Sequence, residues 1–353
     1  MQQDGMQRRD FVRGLAAATV GVMASRVSAE DAPAETLYGQ GAYRYRHVKG
    51  WGVLGADTPV KDCHGMVQAK DGRIFLLNNH TANNVIIYSR EGALLGKWGT
   101  SFPGAHGLTL FSEGGEERLF ITDHDRHQVY KTTLDGEILL TLDWPEQSGK
   151  YQNAGQYKPT HVAVSPDGSF YVSDGYGQNF VMHYDPQGAL IKTFGGGGNA
   201  PGALHCAHGV HVDLRDPAHP VLLITSRSQN AIKRFTLAGD HLDTIALPGA
   251  MPCFMVPYGE HLIVPHLKGG SKPAGSGTEN GFVSILDRQN KIVSNVAADA
   301  AAYGADGVPA KMAANCTLFT YPHGLLVDDR DSLYIAQWNS GRTYPIKLER
   351  VPA

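Results

Sequence analysis

AHGVHV at residues 207–212 is one copy of a motif that recurs along the chain and decides its fold. The other copies read CHGMVQ (63–68), AHGLTL (105–110), THVAV (160–164) and PHGLLV (322–327). Each sets a histidine at the head of a short apolar run: His64, His106, His161, His208 and His323. A sixth copy is degenerate, PCFMV (252–256), with Cys253 in the histidine's place. Successive copies lie 42, 55, 47, 45 and 70 residues apart. A period of about 40 to 50 residues is that of a β-propeller with one four-stranded blade per repeat. Six copies therefore predict six blades and an all-β fold. The innermost strand of each blade lines a central channel, so histidines in one register form a ring about its axis. Imidazoles gathered on one axis are the donor set of a transition metal.

Between the copies the chain follows one plan. In the first blade the strand HGMVQA is followed by the turn Lys70-Asp71-Gly72, the strands RIFLLNN and NVIIYS, the turn Arg90-Glu91-Gly92 and ALLGKWG. The Asp-Gly and xxG steps are hairpin turns, because glycine accepts the positive φ they require. The fifth blade is irregular and carries two long loops, 267–281 and 299–318. Long loops in a compact domain usually carry function, and both are expected at a blade end where they overhang the channel. The sixth blade offers only three strands, the last within TYPIKLE (343–349). YRYRHV (43–48) alternates, is rich in strand formers and has no blade of its own, so it is expected to supply the missing strand and close the ring. Residues 30–40 read as a tail.

The first residues do not belong to this fold. Arg8 and Arg9 precede an apolar run at 15–23 and a small-residue stretch at 24–29. That order is a secretory signal, of twin-arginine type by its arginine pair. The run is too short for a membrane anchor, which needs about 20 apolar residues. The reading is a signal over residues 1–29, a single propeller domain over 30–353, and a periplasmic or secreted protein. A net charge of −3 shows no nucleic-acid footprint. The four cysteines, Cys63, Cys206, Cys253 and Cys316, allow three pairings that sequence does not separate. Oligomeric state is equally unreadable.

SPDGSFYVSDGY (165–176), FGGGGNAPGALHCAHGVHVD (194–213) and PHGLLVDDRDSLYIAQ (322–337) resemble the NHL-repeat propellers, and among these the peptidylglycine amidating lyases. The resemblance implies zinc held by three histidines, each heading the inner strand of a different blade, matched here by His106, His208 and His323 on blades two, four and six. It implies a catalytic tyrosine in a DGY corner, matched by Tyr176, and a catalytic arginine, matched by Arg227 in ITSRSQN. Three open imidazoles on zinc leave a position free, a phenol beside a dication can act as a base, and a guanidinium can grip a carboxylate or carbonyl.

Two positions depart from that family. Its arginine at the end of the first blade's second strand is replaced by the corner Leu77-Asn78-Asn79-His80, with Asn79 nearest. The carboxylate that follows its last zinc histidine and binds calcium is replaced by Gly324, so calcium is not expected. His64, His161, Asn79 and His266 stand at mouth-level positions of their blades and are the expected substrate contacts. His124, His127 and His211 are expected at the surface or in packing. The sequence thus supports a zinc or other divalent-metal lyase acting on a small hydroxylated or carbonyl-containing molecule. A calcium-dependent hydrolase of the lactonase kind and a non-enzymatic binding propeller are the competing readings.

Overall fold

The computed structural model describes residues 36–269 and 280–352. Residues 1–29, where an export signal is expected, and most of loop 267–281 lie outside the described residues. Those residues form six antiparallel sheets arranged as the blades of a propeller. The inner strands, in chain order, are Cys63–Gln68, Ala105–Glu113, His161–Val164, Ala207–Asp213, Ala250–Pro252 continued by Val256–Tyr258, and Pro322–Val327. All six motif copies therefore head or span an inner strand. The break in the fifth falls at Cys253, Phe254 and Met255, where the degenerate motif lacks the glycine.

Each sheet is covered on both faces, so the second and third strands read as continuous apolar runs rather than alternating ones. In blade one, Ile74 and Leu76 pack toward blade six with Tyr334 and Ala336, while Phe75 and Leu77 pack toward blade two with Leu119 and Ile121. Successive side chains of a strand point to opposite faces, which sorts the run between two wedges of core. The same division recurs between blades two and three and between blades three and four.

The glycine of the HG motif has a steric cause. A Cβ on Gly107 would lie 2.5 Å from the Thr160 carbonyl oxygen, and one on Gly324 would lie 2.1 Å from that of His64. Inner strands converge on the axis, and the residue after each histidine is where a neighbouring backbone passes. No carboxylate side chain fits at Gly324 in this packing.

Closure follows the sequence reading. Tyr43–Val48 pairs antiparallel with Ile346–Val351, with Tyr45 opposite Arg350 and Val48 opposite Lys347. That third strand begins at Ile346 rather than Thr343, because Pro345 has no N–H to give the ladder. The tail expected at 30–40 is a strand at its end: Leu37–Gln40 adds a fifth strand to blade six. Gln40 then reaches blade five, its backbone N–H donating to Ser294 Oγ (2.9 Å) and its amide to the Asn295 carbonyl (3.0 Å).

Loop 299–318 is not over the channel. Its backbone bridges Ala298 to Ala314 and Tyr303 to Pro309. Tyr303 accepts the N–H of Ile292 on the outer strand of blade five, and the Met312 N–H donates to Pro248. Met312 is an apolar plug buried in the core of blade five, and burying it holds the loop against the blade's outer side.

Candidate metal centre

Four of the five motif histidines converge at one end of the channel. His106, His208 and His323 are at most 1% exposed, and His64 is 2% exposed. The imidazole centroids of His106, His208 and His323 are 4.7 Å apart in all three pairs, an equilateral set from blades two, four and six. Nε2 of His208 lies 3.2 Å from Nε2 of His106 and 3.1 Å from Nε2 of His323.

Backbone carbonyls of the next blade fix two of the tautomers. His106 Nδ1 is 2.7 Å from the Thr160 oxygen, and His323 Nδ1 is 3.1 Å from the His64 oxygen. A carbonyl only accepts, so each Nδ1 carries the proton and each Nε2 presents a bare lone pair. Such carbonyl partners are the usual supports of metal-bound imidazoles. The two bare Nε2 atoms both face His208 Nε2, which can donate to one of them at a time. A cation between the three satisfies all of them at once. The spacing suits it: tetrahedral zinc with Zn–N bonds of about 2.0–2.1 Å has donor edges of ~3.3 Å. Burial and mutual repulsion hold all three histidines well below the ordinary histidine range, so the ligands are neutral.

Tyr176 completes the cluster. Its Oη is 3.1 Å from Nε2 of both His106 and His208. Arg227 donates to that oxygen from Nη2 at 3.3 Å and to Cys253 Sγ from Nη1 at 4.0 Å. The DGY corner is shaped for this, because a Cβ on Gly175 would lie 2.5 Å from the Ala207 oxygen at the head of the next inner strand. Asp174 anchors the corner, accepting from Tyr151, Lys158 and Gln178. Burial pushes the Tyr176 phenol above its usual value, and Arg227 pulls it down.

The other expected contacts are placed differently. His161 turns aside: its Nδ1 lies 3.0 Å from the Val210 oxygen and its ring stacks on Phe254 at 4.3 Å. It lines an apolar stretch of channel of about 360 Å³ with residues such as Val162, Val210 and Met255. Asn79 is not at the cluster, because its amide and oxygen are both taken by Asp62. His266 is fully buried within blade five, where Nε2 meets Ser284 Oγ at 2.8 Å and the ring packs on Phe282. Two neighbours were not expected. His124 stands 5.8 Å from the His106 ring and 5.7 Å from Tyr176. Phe254 lies 5.1 Å from the His208 ring. His124 directly follows the second strand of its blade, Glu116–Asp123, at the same corner position as Gly175 beside Tyr176, and that register was the signal available for it. All four cysteines are free thiols.

No family model matches the chain. Over 118 residues it is 33% identical to a probable peptidyl-alpha-hydroxyglycine alpha-amidating lyase of Caenorhabditis elegans, a match taking 33% of this chain and 32% of that protein. Over 104 residues it is 38% identical to peptidyl-alpha-hydroxyglycine alpha-amidating lyase 1 of Drosophila melanogaster, with 28% of this chain and 18% of that protein. The match thus spans a third or less of the length of these curated relatives. Among solved structures, a gluconolactonase of Xanthomonas campestris superposes with a TM-score of 0.59 at 12% identity, covering 89% of this chain and 94% of that one. That likeness is one of fold. The chain is a six-bladed, NHL-type β-propeller that resembles the peptidyl-alpha-hydroxyglycine alpha-amidating lyases over about a third of its length.

Proposed function

We propose that the protein is a metal-dependent lyase acting on a small hydroxylated or carbonyl-containing molecule at the histidine cluster. The observation that carries this reading is three buried Nε2 atoms meeting beside a phenol gripped by an arginine. A zinc or similar divalent ion held by His106, His208 and His323 would supply Lewis acidity to a substrate oxygen. Nitrogen and sulfur donors make up the candidate metal clusters among the described residues, whereas calcium takes oxygen ligands. This favours a transition metal and disfavours the calcium-dependent hydrolase.

The protein's own groups supply the proton chemistry. Tyr176 Oη is the base that removes the hydroxyl proton of the substrate. As that O–H breaks, a carbonyl forms, the adjacent C–N bond breaks, and its electron pair leaves on nitrogen. Tyr176 returns the proton to that nitrogen. For an N-acyl-α-hydroxyglycine the products are the shorter amide and glyoxylate, and atoms balance without another reactant. Burial opposes the phenolate that this role needs, and the Arg227 charge favours it. Arg227 also orients a carboxylate or carbonyl of the substrate through its free donors. Asn79 is committed to Asp62 where the resembling lyases carry an arginine, which favours a small substrate over a peptide. Export by the signal at residues 1–29 belongs to the same proposal, and the twin-arginine route would carry the folded, loaded protein.

The test is a screen of α-hydroxy amides with the metal removed and restored. Turnover that disappears on removal and returns on restoration is the expected result. Turnover unaffected by metal removal overturns the proposal.

A further inference from the structure

We propose that His64 is a fourth protein ligand to the metal, making the centre a four-histidine site. This rests on the metal-centre reading above and deepens it. His64 is 2% exposed, yet neither Nδ1 nor Nε2 has a hydrogen-bond partner. A buried imidazole with both nitrogens unpaired is costly, because it has given up its bonds to water and made none in exchange. Its ring lies 4.8 Å from both the His106 and the His323 ring. One ligand atom from each of His64, His106 and His323 falls within 4.8 Å of the others. A ligand role gives one of the two orphaned nitrogens its partner.

The geometry around the axis supports the same assignment. His64 belongs to blade one, between blades two and six, and so between two of the three ligands. Tyr176 and Arg227 come from the corners of blades three and four, across the ring. Three of the four ligands thus come from adjacent blades six, one and two, and His208 of blade four, beside Tyr176, completes the set. Cys253 also lies within 4.8 Å of its neighbours His208 and His323. Its thiol is already engaged, donating to the Met251 carbonyl at 3.8 Å and accepting from Arg227 at 4.0 Å. Only His64 presents two unclaimed nitrogens. The histidine of blade three is removed from contention by its bond to Val210 and its stack on Phe254.

The test uses the full chain loaded with cobalt(II) or zinc, read by X-ray absorption and by chelator competition. Wild-type protein is expected to show four imidazoles at the ion. His64→Ala, checked for an intact fold by circular dichroism, should show three and lose affinity by more than ~100-fold, above the ~10–100-fold typical of a residue that only supports a ligand. A count of three in the wild type, or unchanged affinity in His64→Ala, overturns the fourth ligand and leaves the three-histidine centre intact. The wild-type count does not depend on any variant folding. His208→Ala in parallel separates the two claims, because unchanged binding there sinks the underlying centre instead.

Discussion

Replacing Tyr176 by Phe removes one oxygen and leaves the ring in place. That oxygen contacts Nε2 of His106 and His208 at 3.1 Å and receives the Arg227 donor at 3.3 Å. His106 and His323 keep their carbonyl partners and the three imidazoles keep their mutual spacing, so metal content should remain within error of wild type. Turnover should fall by ~10²–10⁴-fold, the contribution usual for a positioned acid–base group. The fold should lose stability modestly. Arg227 Nη2 gives up its partner, and leaving a buried donor unsatisfied costs about 1–3 kcal/mol. Because Arg227 is partly exposed and water can reach it, the lower end is expected, about 1 kcal/mol. The assay pairs elemental analysis with product release from the α-hydroxy amide that the screen selects, glyoxylate in the simplest case. Full turnover in the variant would refute the proton-transfer role. Loss of the metal would refute the claim that Tyr176 stands outside the ligand set.

Three further outcomes follow from the packing and the cluster. Gly324→Ala places a Cβ 2.1 Å from a backbone oxygen that cannot swing away, so it should cost ~3 kcal/mol or more in urea unfolding, and a cost below 1 kcal/mol would contradict the close approach of blades. Tyr45→Ala empties a fully buried position in the closing strand and should cost about 3–5 kcal/mol, whereas a near-neutral result would mean that the strand does not hold the ring shut. Chelation should lower Tm, with ~4 kcal/mol of stability lost if the ion is present at a thousand times its dissociation constant. An unchanged Tm after complete metal removal would argue that the cluster is not a binding site.

The blade count was legible because the histidine motif repeats once per inner strand. Closure was legible because Tyr43–Val48 had strand character and no blade. The HG dipeptide betrayed the axis, since only glycine tolerates a neighbouring backbone there. What the sequence hid is set by side-chain direction. His161 shares the motif, but its THVAV copy lacks the glycine, and its ring is held by Val210 and Phe254. His266 occupies the right height of its blade and faces the wrong way, toward Ser284. Asn79 was assigned by alignment of corners, and its partner Asp62 lies in the preceding loop, outside any motif. Loop 299–318 looked free by length, and the burial of Met312, with Ala314 and Leu318 packed beside it, decided where it lies.

The central claim is that His106, His208 and His323 hold one transition-metal ion. Elemental analysis of purified wild-type and His208→Ala protein, both verified as folded, tests it most directly. About one zinc, copper, iron or similar ion per wild-type chain is expected, and its loss in the variant. Full occupancy in His208→Ala, or a wild-type protein that retains only calcium, would contradict it.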